Sequence, residues 1–96
     1  MYDSRAREEF KQHNKGVVGW ILMAGYAYYV RDVSLLSDNV FDGMCKWLLE
    51  NYDNVEHKYK HLLTKDMLKA GSTFNLSAYD YPKGVRNCAD VLINKM

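Results

Sequence analysis

The sequence predicts a mainly α-helical fold. A helical hairpin spans about residues 17–30 and 38–51, an N-terminal helix precedes it, and a short helix near 64–70 and a C-terminal helix over 85–95 follow. Three observations carry this. Large apolar residues recur at three- and four-residue spacing in the hairpin and C-terminal segments, which is the period of a helix face rather than of a strand. Ser37 and Thr64 stand where helix N-caps belong. Asn14-Lys15-Gly16 and Gly71 supply stops between the periodic stretches. No repeat, low-complexity segment or linker interrupts them, so residues 1–96 read as a single domain.

Taken in order, Ser4 to His13 forms a polar helix with Ser4 as its N-cap and Phe10 as its one large apolar residue. The first hairpin helix, Val17 to Val30, places Val18, Ile21, Leu22, Gly25 and Tyr29 on one side. Trp20, Met23, Ala27 and Tyr28 make the other side apolar as well. A helix apolar all round is buried on most sides or lends one side to a partner or ligand. Gly19 and Gly25 each cost about 1 kcal/mol relative to Ala in a helix, which close packing against another backbone can justify.

Arg31 to Leu36 connects the hairpin, and a short connection favours antiparallel neighbours. Ser37 caps the second helix, and Asp38 sits at its positive end. Val40, Phe41, Met44, Trp47 and Leu48 turn toward a core. Residues 52–96 then form an extension that packs on the hairpin. Thr64 starts a helix that Gly71 ends, and Ser72 to Ser77 reads as a short extended piece. Tyr81-Pro82-Lys83-Gly84 is a turn, and the last helix points Val85, Cys88, Ala89, Leu92 and Ile93 inward.

Composition narrows the function classes. A net charge of +1, with Lys58, Lys60, Lys65 and Lys69 interrupted by Asp66, lacks the basic stripe of a nucleic-acid module. The uncharged run from Gly16 to Val30 is too short to span a bilayer. The charged start MYDSRAREEF is unlike a signal peptide, and Cys45 and Cys88 lack metal-ligand spacing, so a reducing cytoplasmic setting is expected. Eight Tyr, three Phe and two Trp are many for this length. Such side chains fill a small core, build an interface or stack on a flat ligand.

One constellation points further. Tyr28, Asp32, Ser37-Asp38 and Phe41-Asp42 follow one another across the helix–loop–helix frame from Gly16 to Asn51. That order resembles the small N-terminal domain, Ia, of NAD-dependent bacterial DNA ligases. Its consensus runs Tyr-(His/Tyr)-x-x-Asp-x-Pro-x-x-(Ser/Pro)-Asp-x-x-Tyr-Asp. The resemblance covers residues 16–51, about a third of the chain. The tail stretches HLLTKDMLKAGS and YPKGVRNCADVL are similar to small phage-encoded proteins described as ligase-related.

The resemblance implies a site for nicotinamide mononucleotide or the matching half of NAD. Tyr28 falls where the family places an aromatic against the nicotinamide ring, and Asp38 and Asp42 fall on the acids that hydrogen-bond the nucleotide. Tyr29 stands for the histidine of many members, Phe41 for a tyrosine, and Val33 where the family's loop leads into proline. The expected ligand-binding set is therefore Tyr28, Tyr29, Asp38, Phe41 and Asp42. The chemistry is coherent, because oxidised nicotinamide is a flat cation attracted by aromatic faces and nearby carboxylates. Plainer roles exist for each residue: Asp38 favours a helix N-terminus, Asp42 can pair with Lys46, and both tyrosines can fill a core.

Catalytic machinery is not expected. A ligase needs a lysine in a Lys-x-Asp-Gly setting, and Phe41-Asp42-Gly43 carries no lysine two residues before the acid. His57 and His61 near Asp53 and Glu56 lack the HExxH order. No Gly-rich phosphate loop is present, and Lys83-Gly84 before the last helix, where an N-terminus can bind one phosphate, is too ordinary to single out such a site. Two functions compete. In the first, a non-enzymatic module binds a nicotinamide- or ADP-ribose-type nucleotide, to sequester it or to complete a ligase in trans, with no required cofactor and no metal. In the second, the scaffold antagonises a host enzyme or defence system of the anti-restriction or anti-CRISPR type. Trp20, Tyr26, Trp47, Tyr79 and Tyr81 are then the expected exposed contacts, and self-association is open.

Overall fold

The computed structural model describes residues 1–96 and contains five α-helices in the predicted order, with ends moved by one or two residues. They are α1 (Asp3–Gln12), α2 (Gly16–Tyr29), α3 (Asp38–Glu50), α4 (Lys65–Ala70) and α5 (Lys83–Asn94). Two 3-10 turns, Tyr52–Asn54 and Lys60–Leu62, lie between α3 and α4. No strand forms.

Helix α2 is the centre of the molecule. Helices α1, α3 and α5 all pack against it, which is why its sequence is apolar on every side. Val17, Val18, Trp20, Ile21, Leu22, Ala24, Tyr26 and Ala27 are buried there. Gly25 has a reason to be glycine: a Cβ on it would lie 2.0 Å from Thr73 Oγ1. Thr73 is fully buried, with its hydroxyl 2.9 Å from the Tyr81 hydroxyl. The close approach is thus to a side chain rather than to another backbone. Gly19 meets nothing within 4 Å.

The local start and stop signals work for α3 and α4. Ser37 Oγ accepts from the Val40 N–H at 3.4 Å, and Thr64 Oγ1 from the Met67 N–H at 3.2 Å. Gly71 ends α4 in the left-handed conformation at φ 65°. At α1 the expected cap is displaced. Ser4 lies inside the helix, and Tyr2 precedes it without a side-chain cap. Tertiary bonds take over, because the Asp3 carboxylate accepts from the Ser37 N–H at 2.8 Å and the Tyr2 hydroxyl donates to the Leu92 carbonyl at 2.6 Å.

Core burial follows the expected faces of α3 and α5 with instructive exceptions. Val40, Met44, Cys45 and Leu48 are buried on α3, while Phe41 and Trp47 flank them half-buried. Trp47 receives Phe10 edge-on at 4.9 Å. On α5, Val85, Ala89 and Leu92 are buried, Ile93 is half-buried and Cys88 is exposed. Cys88 lies at the border of that stripe, about 60° from Val85 around the helix. Residues 72–77 make turns instead of an extended piece, because their polar groups bond locally. Ser72 Oγ accepts from the Phe74 N–H at 3.1 Å, and the Leu76 N–H donates to the Thr73 carbonyl at 2.9 Å.

Lysines in the middle of the chain have a structural role. The Lys60 ammonium sits 4.6 Å from the Tyr52 ring centroid, and that of Lys65 sits at 5.5 Å. The Tyr52 hydroxyl donates to the Leu63 carbonyl at 2.8 Å, closing the loop between α3 and α4. No helix is long and apolar enough to cross a membrane.

Candidate functional site

The site is built by the way the chain leaves α2. The Val30 N–H still bonds the Tyr26 carbonyl, but the Val33 N–H reaches back to the Ala27 carbonyl at 2.9 Å. That turn requires Asp32 at φ 57°, and Asp is one of the few non-glycine residues that enter this region readily. Leu35 and Leu36 are then buried, pulling the connector onto the core before Ser37 opens α3. The result is a cleft between the last turn of α2, the connector and the first turn of α3.

Ala24, Gly25, Leu35 and Leu36 contribute its apolar lining, and Tyr28, Tyr29, Asp38 and Phe41 its larger side chains. Gly71, at the end of α4, closes one side. Its volume is about 160 Å³. A second depression of about 270 Å³ adjoins it, lined by Asp38, Asn39, Phe41, Asp42 and Gly71. Three residues, Asp38, Phe41 and Gly71, are common to both, so the two adjoin. Four of the five expected ligand-binding residues line the cleft itself, and Asp42 lines its extension.

The tyrosines are poised rather than packed away. Tyr28 is 56% exposed and Tyr29 44%, and their rings meet edge to face at 5.0 Å. The Tyr29 hydroxyl lies 2.8 Å from Ser72 Oγ, and Phe74, 70% exposed, stands tilted 6.5 Å from the Tyr29 ring. Asp42 pairs with Lys46 one turn later, at 3.1 Å. Asp38 is exposed and has neither an ion-pair partner nor a side-chain hydrogen bond. The plainer reading therefore fits Asp38, which stands in the first turn of α3, and Asp42, which pairs with Lys46, and fails for Tyr28 and Tyr29 as core residues.

The contribution of residues 71–74 was outside the sequence expectations. Gly71 carried a visible signal as a helix stop, but nothing local placed it beside Asp42. A Cβ there would lie 3.1 Å from Asp42 Oδ1.

Other candidates separate from one another. His57 and His61 belong to no group of three or more potential metal ligands. His57 Nδ1 instead accepts from the Tyr59 N–H at 3.1 Å, and burial, followed by the charges of Lys58 and Lys15, lowers its pKa below 6.5. The Cys45 thiol is buried within α3 and pushed up to about 12, mainly by burial and then by Asp42. Trp20, Tyr26 and Tyr81, expected as exposed partner contacts, are all buried, and Trp47 is half-buried. Trp20 lies on the central helix with its indole N–H on Glu9 at 2.6 Å, and Tyr81 stacks edge-on against Tyr26 at 5.6 Å. Of that set only Tyr79 stands fully in solvent. Compared with family models, curated proteins and solved structures, the chain matches none.

Proposed function

We propose that the chain is a non-enzymatic binding module that holds a nicotinamide-type ligand, nicotinamide mononucleotide or the matching half of NAD, in the groove between α2 and α3. One observation carries this reading. Residues far apart in character, two exposed tyrosines, a half-buried phenylalanine and two acids, line a cleft and the depression that adjoins it.

The groove's chemistry suits a flat cation. Tyr28 and Tyr29 offer aromatic surface to an oxidised nicotinamide ring, an attraction of about 0.5–1 kcal/mol at exposed sites and more when water is displaced. Asp38 adds an unpaired negative charge beside that surface. A cavity of about 160 Å³ is smaller than the roughly 300–1,000 Å³ that encloses a drug-sized ligand. It takes one ring, and the ribose then lies along the depression lined by Asn39 and Asp42. Phe41 in place of tyrosine leaves the second acid without a neighbouring hydroxyl, so affinity rests more on the ring than on hydrogen bonds.

Binding is the whole activity in this reading. The groove is lined by no lysine or histidine that would act as nucleophile or base. Sequestration of the ligand, or completion of a ligase in trans, follows from binding alone. Calorimetry against nicotinamide mononucleotide, NAD and ADP-ribose tests it. Heat from the first two and not the third is expected; no heat from either nicotinamide compound refutes the reading.

A second reading has one observation in its favour. Tyr28, Tyr29 and Phe74 form a contiguous exposed aromatic group of the kind that anchors protein interfaces. An antagonist of a host enzyme would use this group in place of Trp20, Tyr26 and Tyr81. It predicts a complex with that enzyme that is lost in Phe74→Ala and indifferent to nucleotides.

A further inference from the structure

We propose that the groove selects against phosphate, so that its preferred ligand is an unphosphorylated nucleoside or a comparable flat cation rather than a nucleotide. This rests on the nicotinamide reading of the same site and narrows its ligand class.

The lining is the first ground. Twelve residues line the cleft and its extension, and none is Lys, Arg or His, while two are Asp. A phosphate carries up to two negative charges and is held in proteins by arginine, lysine or clustered backbone N–H groups. Here it would meet Asp38 unpaired. Two nearby basic residues are engaged by carboxylates, Lys46 at the edge of the extension and Arg31 away from it. Lys46 pairs with Asp42 at 3.1 Å, and Arg31 is held by Asp90 of α5 at 2.5 Å. Arg7 lines a neighbouring depression, with Phe10, Asn39, Val40, Gly43 and Met44, that shares Asn39 with the extension but not with the cleft.

The start of α3 is the second ground, because a helix N-terminus is the usual alternative home for an anion. Two of its first four N–H groups are taken, and those of Asp38 and Asn39 are not. The Ser37 N–H donates to the Asp3 carboxylate at 2.8 Å, and the Val40 N–H to Ser37 Oγ at 3.4 Å. Asp38, in the first turn, already places a negative charge at the positive end of the helix dipole. An incoming phosphate therefore meets a helix end whose partial charge is offset from within the chain.

A cationic ring keeps its attraction to Tyr28, Tyr29 and Asp38 in every form of the ligand, whereas the phosphate is repelled by Asp38. The expected discrimination is modest because the groove is open to water, about fivefold to tenfold at low salt. It shrinks as salt screens the carboxylates.

Calorimetry with nicotinamide riboside and nicotinamide mononucleotide, at low and at high salt, tests the proposal. The riboside is expected to bind about fivefold or more tighter at low salt, with the gap narrowing at high salt. Asp38→Asn is expected to weaken the riboside and to close most of the gap, with the melting temperature reporting that the variant is folded. Equal or tighter binding of the mononucleotide overturns the selectivity and leaves the nicotinamide reading standing. No binding of either compound overturns both.

Discussion

Two faces of α2 use the same residue types in opposite ways. Toward α5, Tyr26 is buried, donates to Asp90 at 3.2 Å and meets Tyr81 edge-on. Tyr81 in turn lies 2.9 Å from the hydroxyl of Thr73, which presses on Gly25. Toward the connector, Tyr28 and Tyr29 stand half in water beside an acid with no partner. Two residues along a helix is a rotation of about 200°, so Tyr26 and Tyr28 face nearly opposite ways. The α5 face is satisfied by the chain itself, with no buried side-chain polar atom left unpaired anywhere in the molecule. The connector face offers groups that the chain does not satisfy. The contrast separates scaffold from candidate site more sharply than residue type does.

Substitutions can break the contrast at its tightest point first. Gly25→Ala forces Thr73 away from α2. The overpacking exceeds the gain in helix propensity, and a net loss of about 2–3 kcal/mol is expected in urea unfolding. Tyr81→Phe removes the only side-chain partner of the buried Thr73 hydroxyl. About 1–3 kcal/mol is expected from that unsatisfied group, read as a fall in melting temperature. On the connector face, Tyr28→Ala and Asp38→Asn are expected to change stability by no more than about 0.5 kcal/mol. Both should nevertheless lose most of the heat of nicotinamide riboside binding. A large loss of stability in either variant would move that residue from site to scaffold.

The two cysteines sharpen the same distinction between packed and open surface. Cys88 is exposed and should react with iodoacetamide in the folded protein, while Cys45 should react only after denaturation. Mass spectrometry of the labelled chain reads both. The sign with pH follows from the raised values. The folded chain holds the Cys45 thiol neutral up to about 12, against an ordinary value of 9.0. Tyr81 is likewise raised above 10.0, chiefly by burial. The unfolded chain therefore ionises first, and stability present below pH 9 is lost progressively as the pH rises toward 12. At the acid end the effect is smaller. The Ser37 N–H bond lowers the Asp3 pKa below 3.8, so its contribution is present above that pH and is lost as the pH falls further. Asp3→Asn should flatten the acid limb of a stability–pH profile.

Particular residues show why the sequence could be read in part. Ser37, Thr64 and Gly71 act through bonds to their own segment, so their roles as caps and stops are visible without the fold. Helix α2 carries no such information about direction. Its apolar residues surround the axis, and only the placement of α1, α3 and α5 decides that Trp20 and Tyr26 turn inward while Tyr28 and Tyr29 turn out. Tyr81 beside Pro82 looks like a turn residue in solvent, yet its ring is buried by a partner, Tyr26, that lies 55 residues away in sequence. Four of the five candidate ligand residues came together in one cleft because they flank one short connector. Gly71 joined them through tertiary approach, which no local spacing encodes.

Chemical-shift mapping tests the central claim most directly: the groove at the connector is a ligand site and the α5 face is scaffold. Amide spectra of the labelled protein would be recorded during titration with nicotinamide mononucleotide to millimolar concentration. Shifts are predicted for residues 24–29, 34–42 and 71–74, with α5 nearly unmoved. Shifts centred on α5, or none at all, would contradict the assignment.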